Sequence, residues 1–472
     1  MTPSQQSIWL STVAWYQAVR SRGSLWQRLT SGSWWSLVGT LASQGLSQAA
    51  FLVVARQLHT AGCGALGIVI STTGMFGLVA GVGMGFTSTK SVASFRTSDP
   101  GRAGRIIGLL SLLTLATAGA ASVAVFLAAP FVAARVLGAP GLAYELRLSC
   151  MLLFFNTVNG VQTGALTGLE AFRRTAGLNV AKGVVTVPLL LAGAHFWSLP
   201  GAVCGYALAA AVGCVLNRLA IRRECKKAGI PLRLGGAWSE RKVIWDFALP
   251  AFLGGIFSCP ATWASSALLV NQPHGYESMG LFTAADKWRL LIAFVPSATS
   301  ATVLSMLAHE AGKPIVSGFR RLFLASLAIN SALVLPAIAF VMLFSSQLMA
   351  LSGESFRPGA PALALLALSS IPNLLNLAFG QALMSAGKVW QRAFIDILWG
   401  LLLFVSAMWL VPRHGAVGLA GAYILAYSAA TVVLIAYTYT HSEIPVFRQK
   451  ARLSERVLIP LETDLEGALP EK

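Results

Sequence analysis

The chain has 472 residues, of which 11% are charged and 56% hydrophobic. A soluble globular protein carries about 25% charged residues, so this composition excludes a soluble enzyme, a disordered chain and a secreted disulfide scaffold. The net charge of +18 lies in short basic blocks between apolar runs, a topology pattern that argues against a nucleic-acid partner.

Residues 1–33 carry Arg20, Arg22 and Arg28 and no acid. The apolar residues precede these arginines, the reverse of a cleavable signal peptide. The arm reads as cytoplasmic, an interfacial helix with its tryptophans at the headgroups.

Twelve apolar segments follow, at 34–55, 64–87, 106–129, 147–169, 177–198, 200–221, 245–270, 279–305, 322–345, 360–385, 391–411 and 415–438. Each is long enough to cross a bilayer as a helix, and none alternates as a barrel strand would. The fifth and sixth separate near Ser198 to Gly201. The expected fold is an all-α polytopic membrane protein of about 12 transmembrane helices. Its expected organisation is an N-lobe at 34–221, a basic linker at 222–244, a C-lobe at 245–438 and a cytoplasmic tail at 439–472. With both termini in the cytoplasm, 28 Lys and Arg fall in inner connections and five in outer ones, the asymmetry that sets orientation. The outer connections are short and leave no room for a catalytic domain. Gln162, Gly168 and Arg173 recur as Gln381, Gly387 and Arg392 at an offset of 219. This predicts a duplication, with a substrate site at the repeat interface.

The six cysteines contain no C-x-x-C pair and read as small buried residues. The histidines lack metal-ligand spacing. No nucleotide-binding loop, hydrolase elbow or metal box occurs, so no cofactor and no enzymatic activity are expected.

Segment 8 carries Asp286, Lys287 and Arg289. Charge inside a bilayer costs about 2.5–3.5 kcal/mol per group on insertion scales, so such groups face a partner or a water-filled cavity. Asp286 and Arg289 share a helix face, with Ser297 and Ser300 further along it. Two readings stand. The cluster forms a cavity wall that holds an anionic head group, or it snorkels to the headgroups if the helix starts late. Polar stripes run along three other segments: Thr40, Gln44, Ser47 and Gln48; Asn156, Asn159, Thr163 and Thr167; and Ser369, Asn373 and Asn376, with Gln381 a turn beyond. Each stripe faces either neighbouring helices or a central path. Gly77, Gly81 and Gly85 form a small-residue face for close helix packing. Asp246 and Asp396 lie near segment starts, where they either suit the helix dipole or couple ion movement, a role also open to Asp286. Pro250, Pro260, Pro296 and Pro336 mark hinges.

Several stretches resemble the polysaccharide flippases of the multidrug/oligosaccharidyl-lipid/polysaccharide (MOP) superfamily, the MATE-like polysaccharide transporter type. Leu37 to Thr40 and Ala55-Arg56-Gln57-Leu58, followed by Gly62 and Leu66-Gly67, resemble the family's first helix and the turn after it. Thr167 to Arg174 resembles the inner turn after helix 4, and Trp245 to Pro250 the entry into helix 7. Ser352-Gly353-Glu354 through Ala360-Pro361, then Ser385 to Lys388, resemble the helix 9–10 loop and the exit of helix 10. Gly415 to Ala420 resembles the entry into helix 12. The family's Pro-x-Phe-Gly ending of the first turn is replaced by Ala61 to Gly67. The resemblance spans roughly 35 to 440.

It implies two six-helix lobes around a cavity that opens alternately to either side of the inner membrane. The implied substrate is an undecaprenyl-diphosphate-linked oligosaccharide, turned from the cytoplasmic to the periplasmic leaflet for exopolysaccharide, capsule or O-antigen synthesis. Implied partners are the bilayer, a polysaccharide polymerase and a chain-length regulator. Arg289 and Lys287 match the family's basic cavity. On physical grounds a diphosphate needs compensation in hydrocarbon, and Arg supplies paired donors to phosphate oxygens. An ion-coupled multidrug or metabolite exporter of the same superfamily is the alternative, disfavoured by the scarcity of intramembrane acids. A membrane glycosyltransferase would need a large outer loop, and the polar stripes argue against a scaffold.

Overall fold

The computed structural model describes residues 3–232, 235, 237–240, 258–311 and 316–440. Asp246, Pro250, the start of segment 7 and the tail from 441 lie outside the described residues, as does the side chain of Thr40. Among the described residues the regular structure is helical.

Eleven α-helices are described: α1 (Pro3–Gly81), α2 (Met84–Phe95), α3 (Pro100–Phe131), α4 (Ala143–Gly168), α5 (Phe172–Lys227), α6 (Ser258–Val270), α7 (Gly275–Ala311), α8 (Val316–Leu343), α9 (Ser345–Ala350), α10 (Ala360–Ser385) and α11 (Val389–Thr440). Six helical stretches are long and apolar enough to cross a membrane. Three of the long helices are two crossings joined by a sharp turn. α1 turns at His59, α5 at Trp197–Ser198 and α11 at Gly415. The second turn lies at the break expected from the sequence. With α3, α4, α7, α8 and α10, eleven of the apolar segments have their helices, and α6 is the described part of segment 7.

Segment 2 differs from expectation. Its helix stops at Gly81, Val82 and Gly83 take positive φ values of 39° and 65°, and α2 restarts at Met84. Gly77, Gly81 and Gly85 therefore do not share one helix. Gly85 still serves close packing, because a Cβ on Gly164 of α4 would collide with the Gly85 backbone. Glycine is required there by approach rather than by conformation.

The duplication is present in the fold, but its register is not 219. Ser198 and Gly415 adopt φ/ψ of 50°/−127° and 51°/−126°, and they lie 217 residues apart. Glu170 and Gly387, also 217 apart, both carry positive φ after helices that close alike. Ala171 N–H bonds Leu166 O at 3.1 Å and Lys388 N–H bonds Leu383 O at 3.1 Å, the six-to-one bond of a Schellman cap. Cys214 Sγ reaches Phe155 O at 3.3 Å where Thr431 Oγ1 reaches Pro372 O at 2.8 Å. Towards the start of each half the offset is 215, as in His59 with His274 and Gly138 with Gly353, all at positive φ. The 219 pairing of Gly168 with Gly387 slipped by two residues because the left-handed cap position is a glycine only in the second half.

Two ends of the bundle can be distinguished by charge. The basic end holds the α2–α3 turn, the α4–α5 turn and the linker after Lys227; the lightly charged end holds the turns at His59, Ser198 and His274. At the basic end the linker is tied down. Glu240, buried, accepts from Arg102 Nε at 2.8 Å and from Arg105 Nη2 at 3.2 Å, and Arg102 lies over the Phe95 ring.

Candidate functional site

Asp286, Lys287 and Arg289 are deep in the bundle. α7 begins at Gly275, earlier than the segment boundary suggested, and at 1.5 Å per residue Arg289 is about 21 Å from that end. Its residue is only 8% exposed, so the guanidinium does not snorkel to a headgroup. Arg289 Nε donates to Asp286 Oδ1 at 2.6 Å, the two side chains meeting across one helical turn. The guanidinium also lies 5.4 Å from the centre of the Tyr423 ring, within cation–π reach. Tyr423 belongs to an aromatic cluster with Phe282, Trp399 and Tyr427. Lys287, the next residue after Asp286, projects differently and places Nζ 5.4 Å from the centre of the Phe51 ring of α1.

These three charges line one cavity of about 330 Å³ between the two halves of the chain. α1 contributes Phe51, Leu66 and Ser71, α6 contributes Thr262 and Ser266, and α11 contributes Tyr423. Two cations face one carboxylate, so the wall carries a positive excess. Thr283 also lines it, and its hydroxyl is buried without a partner among the described residues. That hydroxyl is shut from solvent against Gly67, in the packing of α1 on α7. Beside the cavity, Trp263 Nε1 donates to Thr72 Oγ1 at 2.9 Å, joining α6 to α1.

The other residues singled out by sequence do not line this cavity. Gln44 is exposed; Gln48 is buried, with its amide nitrogen unpartnered among the described residues. Asn156 is exposed. Asn159 donates to Ala210 O at 2.8 Å and accepts from Asn217 Nδ2 at 2.9 Å, bonding α4 to α5. Asn373 borders a separate small void beside Pro296. Asn376 is buried, and its carbonyl accepts from Arg392 Nη1 at 3.0 Å. Gln381 Nε2 donates to Ser300 Oγ at 2.7 Å. Asp396 stands two turns into α11, past the first-turn position where a helix dipole acts. It pairs with Arg392 through both oxygens, at 2.7 and 3.1 Å.

The cavity wall includes residues that sequence reasoning passed over: Ser71, Thr262, Ser266, Thr283 and Tyr423. Their signal was faint. A hydroxyl in an apolar run can always bond the carbonyl one turn back, as Ser266 does to Thr262. Tyr423 and Tyr427 do lie one turn apart, a spacing that marks a common face.

The halves close over the cavity at the lightly charged end. Arg56 Nε donates to Leu351 O at 3.0 Å, and Asn271 Nδ2 donates to Val136 O at 2.7 Å. Donors and acceptors are each 215 residues apart, so the second contact repeats the first with the halves exchanged. Tyr276 Oη adds a bond to Leu137 O at 2.9 Å. α1 and α7 touch backbone to backbone, since a Cβ on Gly64 would collide with Tyr276 and one on Gly280 with Thr60.

Residues 29–306 match the family described as polysaccharide biosynthesis protein. The chain is 22% identical over 326 residues to the EPS I polysaccharide export inner membrane protein EpsE of Ralstonia nicotianae, covering 68% of this chain and 72% of that one. Among solved structures, it is similar to a multidrug resistance MATE family transporter of the MOP superfamily in its inward-facing conformation. That match has a TM-score of 0.70 and 18% identity, and covers 87% of this chain and 96% of the other. An outward-facing conformation of such a transporter gives a TM-score of 0.65 at 18% identity, covering 88% and 94%.

Proposed function

The chain belongs to the polysaccharide biosynthesis protein family, and from that membership we propose that it is a flippase for a lipid-linked oligosaccharide. The substrate in this reading is an undecaprenyl-diphosphate-linked repeat unit, moved from the cytoplasmic to the periplasmic leaflet of the inner membrane. The observation that carries the reading is the cavity between the two halves whose two cations face a single carboxylate. A diphosphate brings at least two negative charges into a site where unpaired charge is costly. Arg289 offers a planar set of donors to its oxygens, and Lys287 offers a second cation that no carboxylate bonds directly among the described residues. The Ser71 hydroxyl suits a sugar or phosphate oxygen, while Thr262 and Ser266 give their protons to Cys259 O and Thr262 O and keep lone pairs for sugar hydroxyls.

Orientation follows from the charge bias, with the basic end and both termini in the cytoplasm. The paired bonds of Arg56 and Asn271 then close the periplasmic side, and the cavity is loaded from the cytoplasm. Breaking them and closing the basic end would release the glycan outward, an alternating-access cycle in which each half moves as a body. The lipid tail stays in hydrocarbon while the head group uses the cavity. The reading is of a carrier without catalysis, working beside a polymerase and a chain-length regulator. An exporter of cationic drugs is the poorer fit, because Asp286, the acid in the cavity, is held by Arg289.

The test is the lipid pool of cells lacking this gene, measured by mass spectrometry with leaflet-selective labelling. A full-length glycan lipid trapped on the cytoplasmic face supports the proposal. An unchanged pool together with new sensitivity to toxic small molecules contradicts it and favours the exporter.

A further inference from the structure

A second cavity lies in the first half of the chain and the start of the linker, away from the charge cluster of α7. It is a groove of about 620 Å³ between α3, α4 and the latter part of α5. Its walls include Leu112, Leu115, Val215 and Leu219, each more than 40% exposed, so the groove opens sideways onto the hydrocarbon. Arg218 and Arg222 line its end nearest the basic linker. They are four residues apart and share one face of α5. Among the described residues neither forms an ion pair. Glu224, the nearest acid in sequence, is engaged by Lys227 at 3.0 Å. Gln162 lines the same groove, and its side-chain oxygen is buried with no partner among the described residues.

We propose that this groove is a binding site for an anionic phospholipid of the cytoplasmic leaflet, its phosphate held by Arg218 and Arg222 and an acyl chain laid along the leucine and valine walls. The geometry matches an amphipathic ligand: an apolar trough with exposed walls that carries two cations towards the basic end of the bundle. Basic pockets between helices on the cytoplasmic side are suited to such headgroups. A phosphatidylglycerol head group keeps the net negative charge that two arginines attract, whereas the ammonium of a choline head group cancels it. The assignment uses the orientation given by the charge bias but does not depend on what the α7 cavity carries.

The test is native mass spectrometry of the full chain released from detergent, with dioleoyl phosphatidylglycerol or dioleoyl phosphatidylcholine added. The wild type is expected to retain one phosphatidylglycerol in preference to phosphatidylcholine. The pair Arg218→Ala and Arg222→Ala should lower that preference roughly thirtyfold, from about 1 kcal/mol for each basic residue near the surface. A control pair, Lys226→Ala and Lys227→Ala, should leave it unchanged. The folded state of each variant is checked by size-exclusion profile and helical circular dichroism; if the alanine pair unfolds, Arg218→Lys with Arg222→Lys replaces it and should retain the preference for phosphatidylglycerol. Equal retention of both lipids by the wild type, or retention of phosphatidylglycerol by a folded alanine pair, overturns the proposal. Displacement of bound phosphatidylglycerol by equimolar farnesyl diphosphate also overturns it, assigning the groove to a polyprenyl diphosphate.

Discussion

Arg56 and Asn271 occupy the same position of two repeated halves, and each reaches across to the other half's equivalent carbonyl. Arg56 bonds Leu351 O and Asn271 bonds Val136 O. The same closure is thus made twice, once by a guanidinium and once by an amide. Both bonds are exposed, so water competes for donor and acceptor and neither is a strong lock. That suits a contact that must open during a transport cycle.

Removing both donors should therefore shift the population rather than unfold the chain. In the double variant Arg56→Ala with Asn271→Ala, a cysteine placed at Ser71 in a cysteine-free background should react several-fold faster with a membrane-impermeant maleimide added outside. An unchanged rate would mean that the α1–α7 contact at Gly64 and Gly280 closes that end unaided.

Ser198 holds a conformation that its counterpart Gly415 adopts without a side-chain penalty. A non-glycine residue at such φ and ψ stores about 1–3 kcal/mol. Ser198→Gly should raise the melting temperature of the detergent-solubilised protein. Gly415→Ala should lower it, with added crowding against Ser278 Oγ. A lower melting temperature for Ser198→Gly, or an unchanged one for Gly415→Ala, would remove the equivalence of the two turns.

Among the described residues, Glu240 is the acid that ties the linker to α3. Glu240 receives bonds from Arg102 and Arg105, so Glu240→Ala frees the segment and leaves two arginines without their partner. Limited trypsin digestion should then cut several-fold faster near Arg233, Arg241 and Lys242. The same rate in the variant would show that the ion pairs do not restrain the linker.

How far these features could be read from sequence depended on the physics behind them. Apolar length and charge asymmetry are properties of whole segments, so the twelve crossings were legible. Asp286 and Arg289 were legible because charge in an apolar run is costly and their spacing sets a common face. The register of the repeat was not, because a left-handed cap is a glycine in one half and Glu170 or Ser198 in the other. The closure at Arg56 and Asn271 was also hidden: its two donors differ in chemistry, and main-chain acceptors leave no mark in the residue type. Asn159, Asn376 and Gln381 show the limit of stripe reading. Helical spacing placed them on faces, but it could not distinguish a face bonded to a neighbouring helix from one facing a cavity.

The central claim is that the positive excess around Arg289 binds a diphosphate for transport. The direct measurement is flipping of a polyprenyl-diphosphate-linked oligosaccharide in proteoliposomes, read by leaflet-selective enzymatic modification of the glycan. Wild type should flip it. Arg289→Ala should slow flipping by a factor of ten or more, from the loss of a charged bond of about 1.5–3 kcal/mol, and Arg289→Lys should recover part of the rate. Wild-type flipping by a folded, correctly inserted Arg289→Ala protein would contradict the account.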